Sequence, residues 1–148
     1  MIVSKMTKIK EKATKNKALN VLFLLHGLIT FAASIVLVIA PEAIPKTVNI
    51  DISPDEYLLC YFLGAAELGI AFLSVFARKI QDNNSLRLIS ATFIVFHIAT
   101  GVLELFALAN GLSFKIVFNV ILRILVSILF WYFGIYRLKN NGTNIRSL

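Results

Sequence analysis

A single cysteine, Cys60, among 148 residues excludes an intramolecular disulfide, a cysteine-rich zinc cluster and a dithiol redox pair. Charge is scarce too, at 16% of residues against about a quarter in soluble domains. Only three prolines occur, Pro41, Pro45 and Pro54, so the long apolar runs on either side contain no helix breaker. Acidic residues are the rarer sign, 8 against 15 Lys and Arg, for a net charge of +7. Nucleic acid would need that charge on one face of a soluble fold with base-reading or stacking residues. Here the basic residues sit between apolar runs, so no nucleic-acid partner is expected. No set of side chains shows metal-ligand spacing, and no metal is expected.

What the chain does have is apolar length, with 58% hydrophobic residues. Crossing about 30 Å of hydrocarbon takes about 20 residues of helix, because lipid leaves the backbone no other hydrogen-bond partner. Runs 18–40, 57–77, 86–109 and 114–136 meet that length. They predict an all-α integral membrane four-helix bundle, a single domain over 18–138 with a basic tail at 1–17 and a second tail at 139–148. A signal peptide is the weaker reading of the first run, since its apolar core would be about 7–15 residues.

Basic residues near span ends set orientation. Lys5, Lys8, Lys10, Lys12, Lys15 and Lys17 precede the first span; Arg78, Lys79 and Arg87 flank the second loop; Arg137, Lys139 and Arg146 follow the fourth. The first loop sets only Lys46 against Glu42, Asp51, Asp55 and Glu56, and the third has only Lys115. Both termini are therefore expected in the cytoplasm, in the inner membrane of a bacterium. The stretch 51–56 reads as a turn and N-cap for the second span, Asn83, Asn84 and Ser85 as a cap for the third, and Asn110-Gly111 as its end. Trp131, Tyr132 and Tyr136 read as interface anchors.

Polar side chains within the spans need a reason, because an ionised group at mid-bilayer costs at least about 2.5–3.5 kcal/mol. There are five ionisable ones, His26, Glu67, His97, Glu104 and Arg123, joined by Asn119. Helical spacing gathers them into stripes. Ser90, His97, Gly101 and Glu104 share one face of the third span; Asn119, Arg123 and Ser127 share one of the fourth. Gly64, Glu67, Ala71 and Ser74 line the second, and His26, Thr30 and Ser34 the first. At about 1.5 Å per residue, Glu67 and Arg123 lie about 14 Å below the outer surface, Glu104 and Asn119 about 8 Å, and the histidines about 18–21 Å. Arg123 is expected to pair with Glu67 at its own level and reach toward Glu104, with His97 in the same cluster. Two carboxylates against one obligate cation leave an excess negative charge unless a proton is retained.

The run 62–78, with Gly64-x-x-Glu67 followed by small residues and a basic exit, resembles the second span of the DoxX-like group of small four-helix bacterial membrane proteins. Span count and short loops agree with it; the first span lacks that group's Gly-rich stretch, and His97 and Glu104 are this chain's own emphasis. The resemblance implies a subunit-like or redox-associated membrane role, and only Gly64 and Glu67 carry over.

The main functional expectation is a membrane subunit or helper that binds a partner or a lipophilic ligand through a buried polar cluster of His26, Glu67, His97, Glu104, Asn119 and Arg123. One alternative is a membrane-embedded enzyme with Glu104 or Glu67 as acid and His97 as base. Another is a path for protons or a small solute through Glu67, His97, Glu104 and Arg123, for which four spans would need to dimerise. A homodimer or a partner membrane protein is thus expected besides the bilayer. Haem held by His26 and His97 is the one cofactor candidate, since both lie on parallel spans at depths within about 3 Å.

Overall fold

The computed structural model describes residues 2–109 and 114–138, so the Asn110-Gly111 turn and the tail from 139 lie outside the described residues. Helix α1 runs Ile2–Ile39 and is already helical through the stretch expected as a basic tail. It stops before Pro41, which has no N–H to donate and disfavours helical geometry in the residue ahead of it. A short α2, Ala43–Thr47, follows, and Asn49 turns the chain at φ 62°, a left-handed conformation that asparagine tolerates. A 3-10 turn, Pro54–Glu56, then leads into α3, Tyr57–Ala77. Here Glu56 reaches back to accept from the Ser53 N–H at 2.8 Å and its hydroxyl at 2.9 Å. That arrangement is the cap expected at 51–56.

Helix α4 spans Asn83–Ala109. Its cap is Asp82 rather than Asn83 or Asn84: the carboxylate accepts from the Ser85 N–H at 2.8 Å and the Ser85 hydroxyl at 2.6 Å. These bonds from Ser85, with one from the Asn84 N–H, hold the Asp82 carboxyl below its ordinary range. Helix α5, Ile116–Phe130, continues as a π-helical stretch over Trp131–Tyr136.

Among the described residues four segments are long and apolar enough to cross a membrane: Lys17–Ile39, Pro54–Ala77, Asn83–Phe106 and Ile116–Tyr136. Their outward side chains are those of a lipid-facing surface. Ile29, Leu59, Leu88, Leu103, Phe106 and Phe118 are each at least two-thirds exposed, far more contiguous apolar surface than a water-soluble monomer carries.

Two antiparallel hairpins make the bundle, α1 with α3 and α4 with α5, and they meet chiefly through α1 against α5. Small residues let the backbones within each hairpin approach. A Cβ on Gly27 would lie 2.8 Å from Val75 Cγ2 and 3.2 Å from the Ala71 carbonyl. One on Gly64 would lie 3.2 Å from the Ser34 carbonyl, and the Ser34 hydroxyl donates to the Gly64 carbonyl at 2.8 Å. In the other hairpin a Cβ on Gly134 would overlap Ser90. Large side chains instead join hairpin to hairpin. Phe23, Phe93 and Phe130 are at most 1% exposed and pack ring to ring, with Leu19, Ala77, Leu86 and Leu138 around them. Leu19 and Leu138 share that cluster, so the chain enters and leaves the bundle at one end. The same end carries Lys17, Arg78, Lys79, Arg87 and Arg137. At the opposite end the Lys115 ammonium donates to Asn49 Oδ1 at 3.1 Å, tying the two turns there together.

Candidate functional site

The intramembrane polar groups form two layers. The deeper one is a histidine pair. His26 Nε2 and His97 Nε2 are 3.0 Å apart, and His26 Nδ1 lies 3.0 Å from Ser74 Oγ. The Ser74 proton is already committed, because its hydroxyl donates to the Phe23 carbonyl at 2.8 Å. Ser74 Oγ must therefore accept from His26 Nδ1–H, which leaves His26 Nε2 as an acceptor and makes His97 Nε2–H the donor to it. One direction of donation runs from His97 through His26 and Ser74 to a backbone carbonyl. It fixes both tautomers and leaves His97 Nδ1 as a bare acceptor, buried and without a partner among the described residues.

The shallower layer is centred on Arg123. Its Nε–H donates to Glu104 Oε1 at 2.9 Å, and Asn119 Nδ2 donates to the same oxygen at 3.2 Å. Both members of the ion pair are 21% exposed. The arginine stem lies over Gly101, between His97 and Glu104 on α4: a Cβ there would be in ordinary contact, 3.9 Å from Arg123 Cβ and Cδ. Glu104 Oε2 is likewise a buried acceptor without a partner among the described residues.

The six residues singled out by sequence thus divide. His26 pairs with His97, and Glu104 with Arg123 and Asn119. Glu67, partly buried on α3, lies within reach of the Arg123 charge, but the arginine's hydrogen bond goes to Glu104. His97 also lies within reach of that charge. Ser74 and the Phe23 carbonyl, which orient the histidine pair, were not foreseen; the stripe Gly64, Glu67, Ala71, Ser74 contains the serine, but nothing in it names His26 as the partner.

Haem does not fit the pair. Two imidazoles on opposite sides of one iron hold their nitrogens about 4 Å apart, twice a metal–nitrogen bond of about 2.0 Å, with the porphyrin between them. Here the nitrogens meet at 3.0 Å, and the Phe93 and Phe130 rings pack on His26 at 4.7 Å and 5.2 Å between centroids. Among the described residues no group of three or more His, Cys, Asp or Glu is placed to hold a metal ion.

Fold and site together define a four-span helical membrane protein with a buried histidine pair. No family model matches the chain, and neither a curated protein nor a solved structure is found to be similar to it.

Proposed function

We propose that the protein binds a lipophilic molecule whose head carries two hydrogen-bond donors, such as a hydroquinone, beside Arg123 within the bundle. The observation that carries this reading is the pair of orphaned acceptors, His97 Nδ1 and Glu104 Oε2. They stand seven residues apart on one face of α4 with Gly101 between them. Hydrocarbon supplies no donor to either, and a buried acceptor left unpaired costs about 1–3 kcal/mol. A ligand donating to both offsets that cost, whereas an apolar ligand does not. Through-transport is the weaker reading, since Phe23, Phe93 and Phe130 close the bundle between the histidine layer and the basic end. The positive-inside bias puts that basic end in the cytoplasm, so the ligand would enter from the outer half of a bacterial inner membrane. A DoxX-like relationship over 62–78 accords with a redox-associated ligand of this kind.

Protein extracted gently from its membrane is expected to retain one non-phospholipid adduct in native mass spectrometry. Gly101→Ala should weaken that retention at an unchanged melting temperature, because the new methyl makes only ordinary contact with Arg123 while narrowing the space beside it. No such adduct, together with unchanged behaviour of Gly101→Ala, would leave the two layers as a structural lock.

Self-association is a second reading, favoured by Gly69. Unlike Gly27 and Gly64, it has no heavy atom within 4 Å of where a Cβ would sit, and with Ala65 it forms an exposed small-x-x-x-small face. Two copies of such a face can pack about a twofold axis. Gly69→Leu is expected to leave the monomer's melting temperature within a few degrees while weakening dimerisation in bilayers at least tenfold by energy transfer between labelled copies. Equal transfer in both proteins would remove this reading.

A further inference from the structure

A cavity of about 290 Å³ lies at the basic end of the bundle, away from both polar layers, lined by Asn84, Arg87, Leu88, Ala91 and Ile135. Four of these fall on one stripe of α4, at offsets of three, four and seven from Asn84, and Ile135 comes from the π-helical end of α5. Polarity along the stripe is graded. Asn84 and Arg87 occupy the first turns, and Leu88 and Ala91 continue toward the bilayer interior. Trp131, Tyr132 and Tyr136, all more than one-third exposed, mark the same stretch of α5 as the level of the membrane interface. Arg87 is partly buried, its Nε is fully covered, and its guanidinium has neither a hydrogen bond nor an ion pair among the described residues. Among the described residues this permanent cation has no counter-ion.

We infer that this cavity is a binding site for an anionic phospholipid, with the phosphodiester on Arg87, the polar head beside Asn84 and an acyl chain along Leu88, Ala91 and Ile135. Guanidinium pairs with phosphate oxygens through fork-shaped hydrogen bonds, and basic pockets between membrane helices on the cytoplasmic side are suited to anionic heads. Phosphatidylcholine carries the same phosphate but adds a bulky cation, which the unpaired guanidinium and the N-terminal end of α4 disfavour. Free phosphate has nothing to place along the apolar wall. The site is separate from the one proposed at Arg123, and either can fail without the other.

The test is native mass spectrometry of the full chain with phosphatidylglycerol, phosphatidylcholine or inorganic phosphate added in turn. One phosphatidylglycerol per chain should survive activation that strips phosphatidylcholine, and inorganic phosphate should not compete for it. Arg87→Gln should weaken retention about tenfold or more, the loss expected for a charge-assisted hydrogen bond. Ala91→Leu, which fills the apolar wall and keeps the charge, should weaken it as well, while Arg78→Gln, outside the cavity, should not. Equal retention of the two lipids, indifference to both cavity variants, or displacement by millimolar phosphate would each overturn the assignment.

Discussion

Glu104→Leu is expected to destabilise the bundle by about 3–5 kcal/mol, the cost of leaving one member of a buried ion pair without the other. Arg123 keeps its charge under all ordinary conditions, so removing Glu104 takes away its hydrogen-bonded counter-ion and leaves only the Glu67 carboxyl within reach of the guanidinium. It also strands Asn119 Nδ2, which donates to the same carboxylate oxygen. Arg123→Leu should cost less, because an isolated carboxyl group can take up a proton and become neutral where a guanidinium cannot. The double variant Glu104→Leu/Arg123→Leu should return to within about 1–2 kcal/mol of the parent, since apolar replacements of buried pairs are often close to neutral. Unfolding of the four proteins in mixed micelles yields the coupling energy directly. Costs that simply add, with Glu104→Leu below about 1 kcal/mol, would show that the pair contributes nothing beyond its two separate side chains.

Gly134→Ala should show the largest effect of any single methyl group. Its Cβ would overlap the Cβ and hydroxyl of Ser90, a residue with no exposed surface, so α4 and the π-helical end of α5 must separate. Overpacking of this kind costs about 1–3 kcal/mol and occasionally more, and the rigidity of two facing helices puts this case at the upper end. The rescue is specific. Ser90 Oγ has no hydrogen-bond partner among the described residues, so Ser90→Gly removes the obstruction without orphaning another group. Gly134→Ala/Ser90→Gly should therefore regain most of the melting temperature lost in Gly134→Ala. Failure of that rescue would mean the close approach at Ser90 does not limit the packing of this hairpin.

Caps and polar residues differ in how far they can be read from sequence. Ser53 and Glu56 are found where the turn at 51–56 was expected, because a capping box is a local pattern of four residues. The cap of α4 falls one residue earlier than expected, on Asp82. Asn83, Asn84 and Ser85 are all acceptable caps by type, and only the bonds that actually form distinguish the aspartate. At about 1.5 Å per residue the histidines fall at depths within about 3 Å, and in the structure the two rings meet. The same rise puts Arg123 level with Glu67, yet its hydrogen bond goes to Glu104, on the helix with which α5 forms a hairpin. A long side chain lying over Gly101 covers the difference in level.

By itself the sequence determined the four apolar spans and the ionisable side chains within them. Run length and the 3.6-residue period are properties of one helix, and hydrocarbon enforces both. Only the tertiary structure decided the partners: His26 with His97 and Ser74, and Glu104 with Arg123 and Asn119. Partner choice depends on how far each helix rotates about its own axis and how closely it approaches its neighbour. Those quantities are set by contacts between chain segments far apart in sequence, at Gly27, Gly64 and Gly134. The acceptors His97 Nδ1 and Glu104 Oε2 on α4 and the Arg87 guanidinium, unpartnered among the described residues, emerge from that packing, and the sequence alone gives no sign of them.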